Sequence, residues 1–220
     1  ATLCNVEISS NMVSAARATG SCFVHISTDH LFDGKKPLRC ERDQPSPKNH
    51  YGMTKWRAEG VVFETLPESL VIRTNFFGWG PPYRRSFSDW ILSAMKNGQQ
   101  INLFTDVYFT PVYVSELIRV VHDLYEAGLT GIFNIVSSDR LSKYQFGKRL
   151  CRVFNYDESL ILPALLSEVP NLAPRPLDMS LSNHKLLSTQ AASMPDLSTM
   201  LEALAADRDN SNLLATIENT

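Results

Sequence analysis

A tyrosine and a lysine stand four residues apart in the stretch Asn49-His50-Tyr51-Gly52-Met53-Thr54-Lys55. On a helix that spacing puts both side chains on one face. A phenol titrates at about pKa 10 and is a poor acid or base near neutrality, but a neighbouring ammonium stabilises the phenolate and brings the group toward the working pH. Such a pair also needs a hydroxyl to orient the carbonyl that receives the proton. Ser27 and Thr28 can supply it from the end of an apolar run, with Thr28 placed 23 residues before Tyr51. The same Tyr-x-x-x-Lys spacing occurs at the start of ordinary helices, so the stretch alone decides nothing.

The elements that would position these groups can be read from periodicity. Residues 5–19 carry apolar side chains at Val6, Ile8, Met12, Val13, Ala15 and Ala16 and are followed by Gly20, the pattern of a helix with a glycine cap. Residues 22–28 read as a buried strand whose polar end opens on a loop over 29–48, which holds Gly34, Pro37, Pro45 and Pro47. A helix over about 49–66 and a strand over 70–74 follow, then the loop "NFFGWGPPYRRS". Further helices are expected over 87–96, 114–125 and 142–154, and strands near 101–104 and 131–136. This alternation predicts an α/β fold with a largely parallel sheet. Ligands of such sheets lie outside the carboxyl ends of the strands, which gives weight to the loops after Thr28 and Thr74.

Composition narrows the class further. The chain of 220 residues is 44% hydrophobic and 20% charged, as expected of a soluble globular protein. A net charge of −2 gives no broad attraction for nucleic acid or an anionic membrane. No apolar run approaches the roughly 20 residues of a membrane span, and "ATLCNVEISS" lacks the layout of a signal peptide. It also lacks an initiator Met, which suggests a cropped or processed chain. Cys4, Cys22, Cys40 and Cys151 form no CxxC and have no neighbouring His, so neither a disulfide framework nor a metal site is expected, and a cytoplasmic location is the default.

Taken in order, "HISTDHLFDG", the proline loop, "YGMTK" and "VIRTNFFGWG" resemble the extended branch of the short-chain dehydrogenase/reductases. Further on, "INLFTDVYFTPVYVSEL" and "APRPLDMSLSNHKL" resemble the substrate-binding part of the dTDP-4-dehydrorhamnose reductases and related sugar-nucleotide enzymes. The resemblance implies a Rossmann-like sheet flanked by helices, N-terminally incomplete, with a small C-terminal α+β substrate-binding part. Residues 1–75 would be the remainder of the dinucleotide-binding domain, 76–206 the sheet completion and substrate-binding region, and 207–220 a flexible tail. It further implies NADP or NAD as cofactor, a nucleotide-sugar as substrate and a possible homodimer. Tyr51 would give a proton to the keto oxygen, and Lys55 would hold the nicotinamide ribose. Thr28 and Ser27 would bind the reacting sugar, His25 would line the cofactor, Phe76 would pack on the sugar, and Arg175 would lie on the substrate side.

Two departures qualify this. Family dehydratases carry Thr-Asp-Glu where this chain has Thr28-Asp29-His30, so it reads better as a reductase; reductases, however, usually have Tyr where His30 stands. None of the ten glycines forms the G-x-x-G-x-x-G turn that cradles a pyrophosphate. Either the chain is a piece of a longer reductase, the favoured expectation, or it has lost normal cofactor binding. The leading reading is NAD(P)H-dependent reduction of a 4-keto nucleotide-sugar. The alternatives are a non-catalytic subunit, similar to the regulatory subunit of methionine adenosyltransferase, and a nucleotide-sugar epimerase. Arg84 and Arg85 could grip a diphosphate or could simply be solvated.

Overall fold

The computed structural model describes residues 2–81, 83–169 and 173–217, with side chains as far as Arg208. A π-helical turn, Leu3–Glu7, leads into α1 (Ile8–Thr19), which ends at Gly20 in a left-handed conformation with φ 65°. The chain continues through β1 (Val24–Ile26), α2 (His50–Thr65), β2 (Leu70–Arg73), β3 (Phe76–Phe77) and α3 (Phe87–Lys96). Next come β4 (Ile101–Phe104), β5 (Tyr108–Phe109), β6 (Val112–Tyr113), α4 (Val114–Glu126), β7 (Gly131–Asn134) and β8 (Leu141–Ser142). The last elements are α5 (Lys143–Val153), β9 (Ile161–Ala164), α6 (His184–Ser188) and α7 (Leu197–Ile217).

The central sheet is parallel in the order β1-β2-β7. All four residues of its middle strand, β2, are buried, as a strand covered on both faces requires. Alternation along β2 assigns the faces. Val71 joins Val13 of α1 and Val62 of α2 in one cluster, while Leu70 and Ile72 join the larger core with residues of α3, α4, α5 and α7. Short ladders complete the structure: β3 with β6 and β4 with β9 run parallel, and β5 with β8 antiparallel. The observed fold is the expected helix-flanked, mostly parallel α/β arrangement.

Two local differences have simple causes. The strand expected over 22–28 keeps only Val24–Ile26 in its ladder, although the hydrogen bonds Leu70 N–H to Phe23 O (2.9 Å) and Ser27 N–H to Ile72 O (2.6 Å) extend it at both ends. The polar end expected to fray from Asp207 continues α7 as far as Ile217; residues 218–220 lie outside the described residues. Leu197, Met200, Leu201 and Leu204 are buried at helical spacing, and the Trp79 indole donates to the Leu204 carbonyl at 3.1 Å. At position 207 itself, the Tyr113 hydroxyl donates to the Asp207 carboxylate.

Candidate functional site

The site begins where α2 meets the loop after β1. Asn49 caps the helix, its side-chain oxygen accepting from the Gly52 N–H at 2.9 Å. A Cβ on Gly52 would stand 2.4 Å from the His30 carbonyl oxygen and 2.9 Å from Pro47 Cβ, so only glycine lets the first turn press this closely on the loop. The approach sets the Tyr51 ring edge-to-face with the His30 ring, centroids 5.7 Å apart. Tyr51 remains 45% exposed. One turn later the Lys55 ammonium donates to the Ile26 carbonyl at 2.6 Å, fastening the helix to the end of β1.

Thr28 is buried, donating to Asp29 Oδ1 at 3.3 Å and accepting at 3.3 Å from the N–H of His30, the residue whose ring meets Tyr51. Asp29 accepts from the Asn75 side chain at 2.6 Å, which ties the loop after β1 to the loop after β2. Ser27 donates instead into the protein, to Glu59 at 2.5 Å. Glu59 is held in turn by Arg73 of β2, with Nη2 to Oε2 at 2.7 Å and Nε to Oε1 at 3.1 Å, and both side chains are buried.

The electrostatics follow from burial among these charges. Burial, aided by the Lys55 charge, lowers the pKa of His25 to about 4, so the imidazole is neutral near pH 7. Its Nε2 is buried and has no partner among the described residues. Burial also lowers the Lys55 pKa, and the Glu59 carboxylate opposes that shift.

His25, Ser27 and Thr28 thus lie on β1 and directly after it, Lys55 is bound to the Ile26 carbonyl with its charge acting on His25, and Tyr51 meets His30, whose N–H donates to Thr28. Phe76 lies on β3, next in sequence to the Asn75 that binds Asp29, and is 53% exposed. It lines a cavity of about 500 Å³ with Trp79, Arg84, Arg85 and Phe87. Arg175 is exposed, close enough for its charge to act on Lys143, and the adjacent Pro174 carbonyl accepts from the Asn49 side chain at 3.1 Å.

Glu59, Asn75 and Lys143 were not singled out from the sequence. Glu59 had a readable signal, since it continues the four-residue spacing of Tyr51 and Lys55 along α2. Asn75 directly follows the strand end at Thr74. For Lys143, the aromatic surroundings come from segments distant in sequence, and no local pattern marks it.

The residues present suit the nicotinamide end of a dinucleotide. Tyr51 and Lys55 can donate to ribose hydroxyls, and the unpaired His25 Nε2 offers a further polar contact. For the phosphate end, these 220 residues contain no Gly-rich turn.

The chain matches the RmlD substrate binding domain over residues 1–209 and belongs to that family. Among curated proteins it is 30% identical over 189 residues to the "Probable low-salt glycan biosynthesis reductase Agl14" of Haloferax volcanii, covering 84% of this chain and 63% of that protein. It is 26% identical to "Methionine adenosyltransferase 2 subunit beta" of Danio rerio, covering 91% of this chain and 65% of that one. It thus spans less than two thirds of these relatives. Among solved structures, dTDP-4-dehydrorhamnose reductase from Bacillus anthracis strain Ames, in complex with NADP, matches with a TM-score of 0.85 at 25% identity. That match covers 92% of this chain and 72% of the other.

Proposed function

We propose that the chain carries the proton-transfer and substrate-binding groups of an NAD(P)H-dependent reductase acting on a 4-keto nucleotide-sugar, in cytoplasmic deoxysugar or polysaccharide synthesis. The observation that carries this reading is the docking of the start of α2 on the carboxyl end of β1, Lys55 on the Ile26 carbonyl and Tyr51 against His30, whose N–H donates to Thr28, with Gly52 in close contact with the His30 carbonyl. The likeness to a glycan-biosynthesis reductase and to a dTDP-4-dehydrorhamnose reductase crystallised with NADP supports it.

The nicotinamide, when bound, supplies the hydride that reduces the keto carbon. Tyr51 presents its phenol from a half-exposed position and gives its proton to the keto oxygen, which becomes the hydroxyl of the reduced sugar. Lys55 favours the resulting phenolate and can donate to a ribose hydroxyl. The Thr28 hydroxyl orients the keto group. Ser27, whose own proton goes to Glu59, keeps oxygen lone pairs to accept from a sugar hydroxyl. His25 lines the nicotinamide side as a neutral imidazole. Phe76 offers its exposed ring to the sugar, and Arg84, Arg85 and Arg175 offer cations to the diphosphate.

The test mixes the protein with dTDP-4-dehydrorhamnose and NADPH and follows the nicotinamide absorbance. Oxidation dependent on the sugar supports the reading. No oxidation with this or related 4-keto nucleotide-sugars sinks it, and binding without turnover would favour a role like that of the methionine adenosyltransferase subunit.

A further inference from the structure

Lys143 is the first residue of α5, behind a capping box in which Ser142 and Gln145 satisfy each other's backbone N–H groups. Its own N–H donates to the Val107 carbonyl at 3.0 Å, which fixes where the side chain departs. A cation is poorly placed here, because the first turn of a helix is the positive end of its dipole. The ammonium rests over the Phe109 ring, 3.3 Å from the centroid, and 4.8 Å from that of Phe87. Burial in this aromatic setting lowers its pKa to about 8, with Asp29 opposing the shift and Arg175 adding to it.

Among the described residues the ammonium has no hydrogen-bond acceptor and no carboxylate within ion-pair distance. Asp29 is its attracting charge, yet the Asp29 oxygens are engaged by Asn75 and Thr28. Its three N–H donors thus have no protein oxygen among the described residues, and the side chain is only partly buried, so an oxygen from outside the protein can reach them. The surroundings say where that oxygen would come from. Asp29, whose carboxylate takes the Thr28 hydroxyl, acts on it by its charge, and Phe87, 4.8 Å from it, is a wall of the cavity that Phe76 also lines. The exposed Arg84 and Arg85 line the same cavity and suit a diphosphate reaching out to solvent.

We propose that Lys143 is a specificity-determining residue of this site, its ammonium hydrogen-bonding an oxygen substituent on the sugar ring of the bound nucleotide-sugar. The proposal rests on the reductase reading for the identity of the ligand. Lys143 binds the sugar in ground state and transition state alike, and it takes no part in the proton transfer.

Calorimetric titration of the protein and its Lys143→Met variant with dTDP and with dTDP-rhamnose tests this. Met keeps an unbranched apolar stem against the two rings while removing the charge. The variant should bind dTDP-rhamnose about tenfold or more weakly, as loss of a hydrogen bond from a charged group predicts, with dTDP affinity changed less than about twofold. In turnover, KM for the keto-sugar should rise by the same factor with kcat nearly constant, and Lys143→Arg should restore most of the difference. Equal weakening for both ligands would assign the ammonium to the diphosphate and overturn the proposal, as would unchanged binding of dTDP-rhamnose. If the Met variant does not fold, Lys143→Gln is read by the same criteria. Absence of NADPH oxidation by the unmodified protein would count against the reductase reading alone, because the binding comparison needs no turnover.

Discussion

Glu59 and Arg73 form a buried two-point ion pair between α2 and β2, Nη2 to Oε2 at 2.7 Å, and the Ser27 hydroxyl donates into the same carboxylate. One interaction therefore links the helix that carries Tyr51 and Lys55 to the strand end that carries Thr28. Breaking a buried pair from one side leaves an uncompensated charge. Arg73→Met should cost roughly 3–5 kcal/mol in urea unfolding, and the double variant Glu59→Leu/Arg73→Met should recover part of it. A loss below about 1 kcal/mol for Arg73→Met would show that the pair does not hold the elements together.

Gly52 is the point of closest approach between α2 and the loop after β1. Gly52→Ala places a Cβ 2.4 Å from the His30 carbonyl, so the helix start must retreat and carry Tyr51 with it. We expect a stability loss of about 1–3 kcal/mol and a fall in reductase rate larger than that loss explains at temperatures where the variant is folded. Thermal unfolding and NADPH oxidation on the same preparation check it; full activity would mean the contact does not set the Tyr51 position.

His25 makes stability depend on pH. Its pKa drops from 6.5 unfolded to about 4 folded, so between those values the unfolded chain binds more protons and stability falls as pH falls. The full difference, about 3 kcal/mol at 1.36 kcal/mol per pKa unit, is present above pH 6.5 and is lost by about pH 4. Urea midpoints measured across this window should flatten in His25→Phe. An equally steep fall in that variant would place the titration on another group.

The sequence made much of this site legible because its chemistry is local: Tyr51 and Lys55 share one helix, and Thr28 ends the strand before it. The burial of β2 on both faces was also readable, since such a strand reads as a short apolar run and not as an alternation. What escaped was set by contacts between distant segments. The Phe87 and Phe109 rings make Lys143 a half-desolvated cation, and nothing within α5 announces them. The strands β3, β5, β6 and β8 have two residues each, too short for any periodicity. The spacing of Leu197, Met200, Leu201 and Leu204 was a helix signal in plain view, obscured by the polar composition that follows it.

Tyr51 is the proposed proton donor. Its hydroxyl has no hydrogen-bond partner among the described residues, and the side chain is half exposed, so removing the hydroxyl leaves packing intact. The decisive measurement is the rate of NADPH oxidation with dTDP-4-dehydrorhamnose by the protein and by Tyr51→Phe, with unfolding midpoints recorded alongside. The expected result is turnover by the protein, a drop of about 10²–10⁴-fold in kcat for the variant, and no change in midpoint. An unchanged rate in Tyr51→Phe would contradict it.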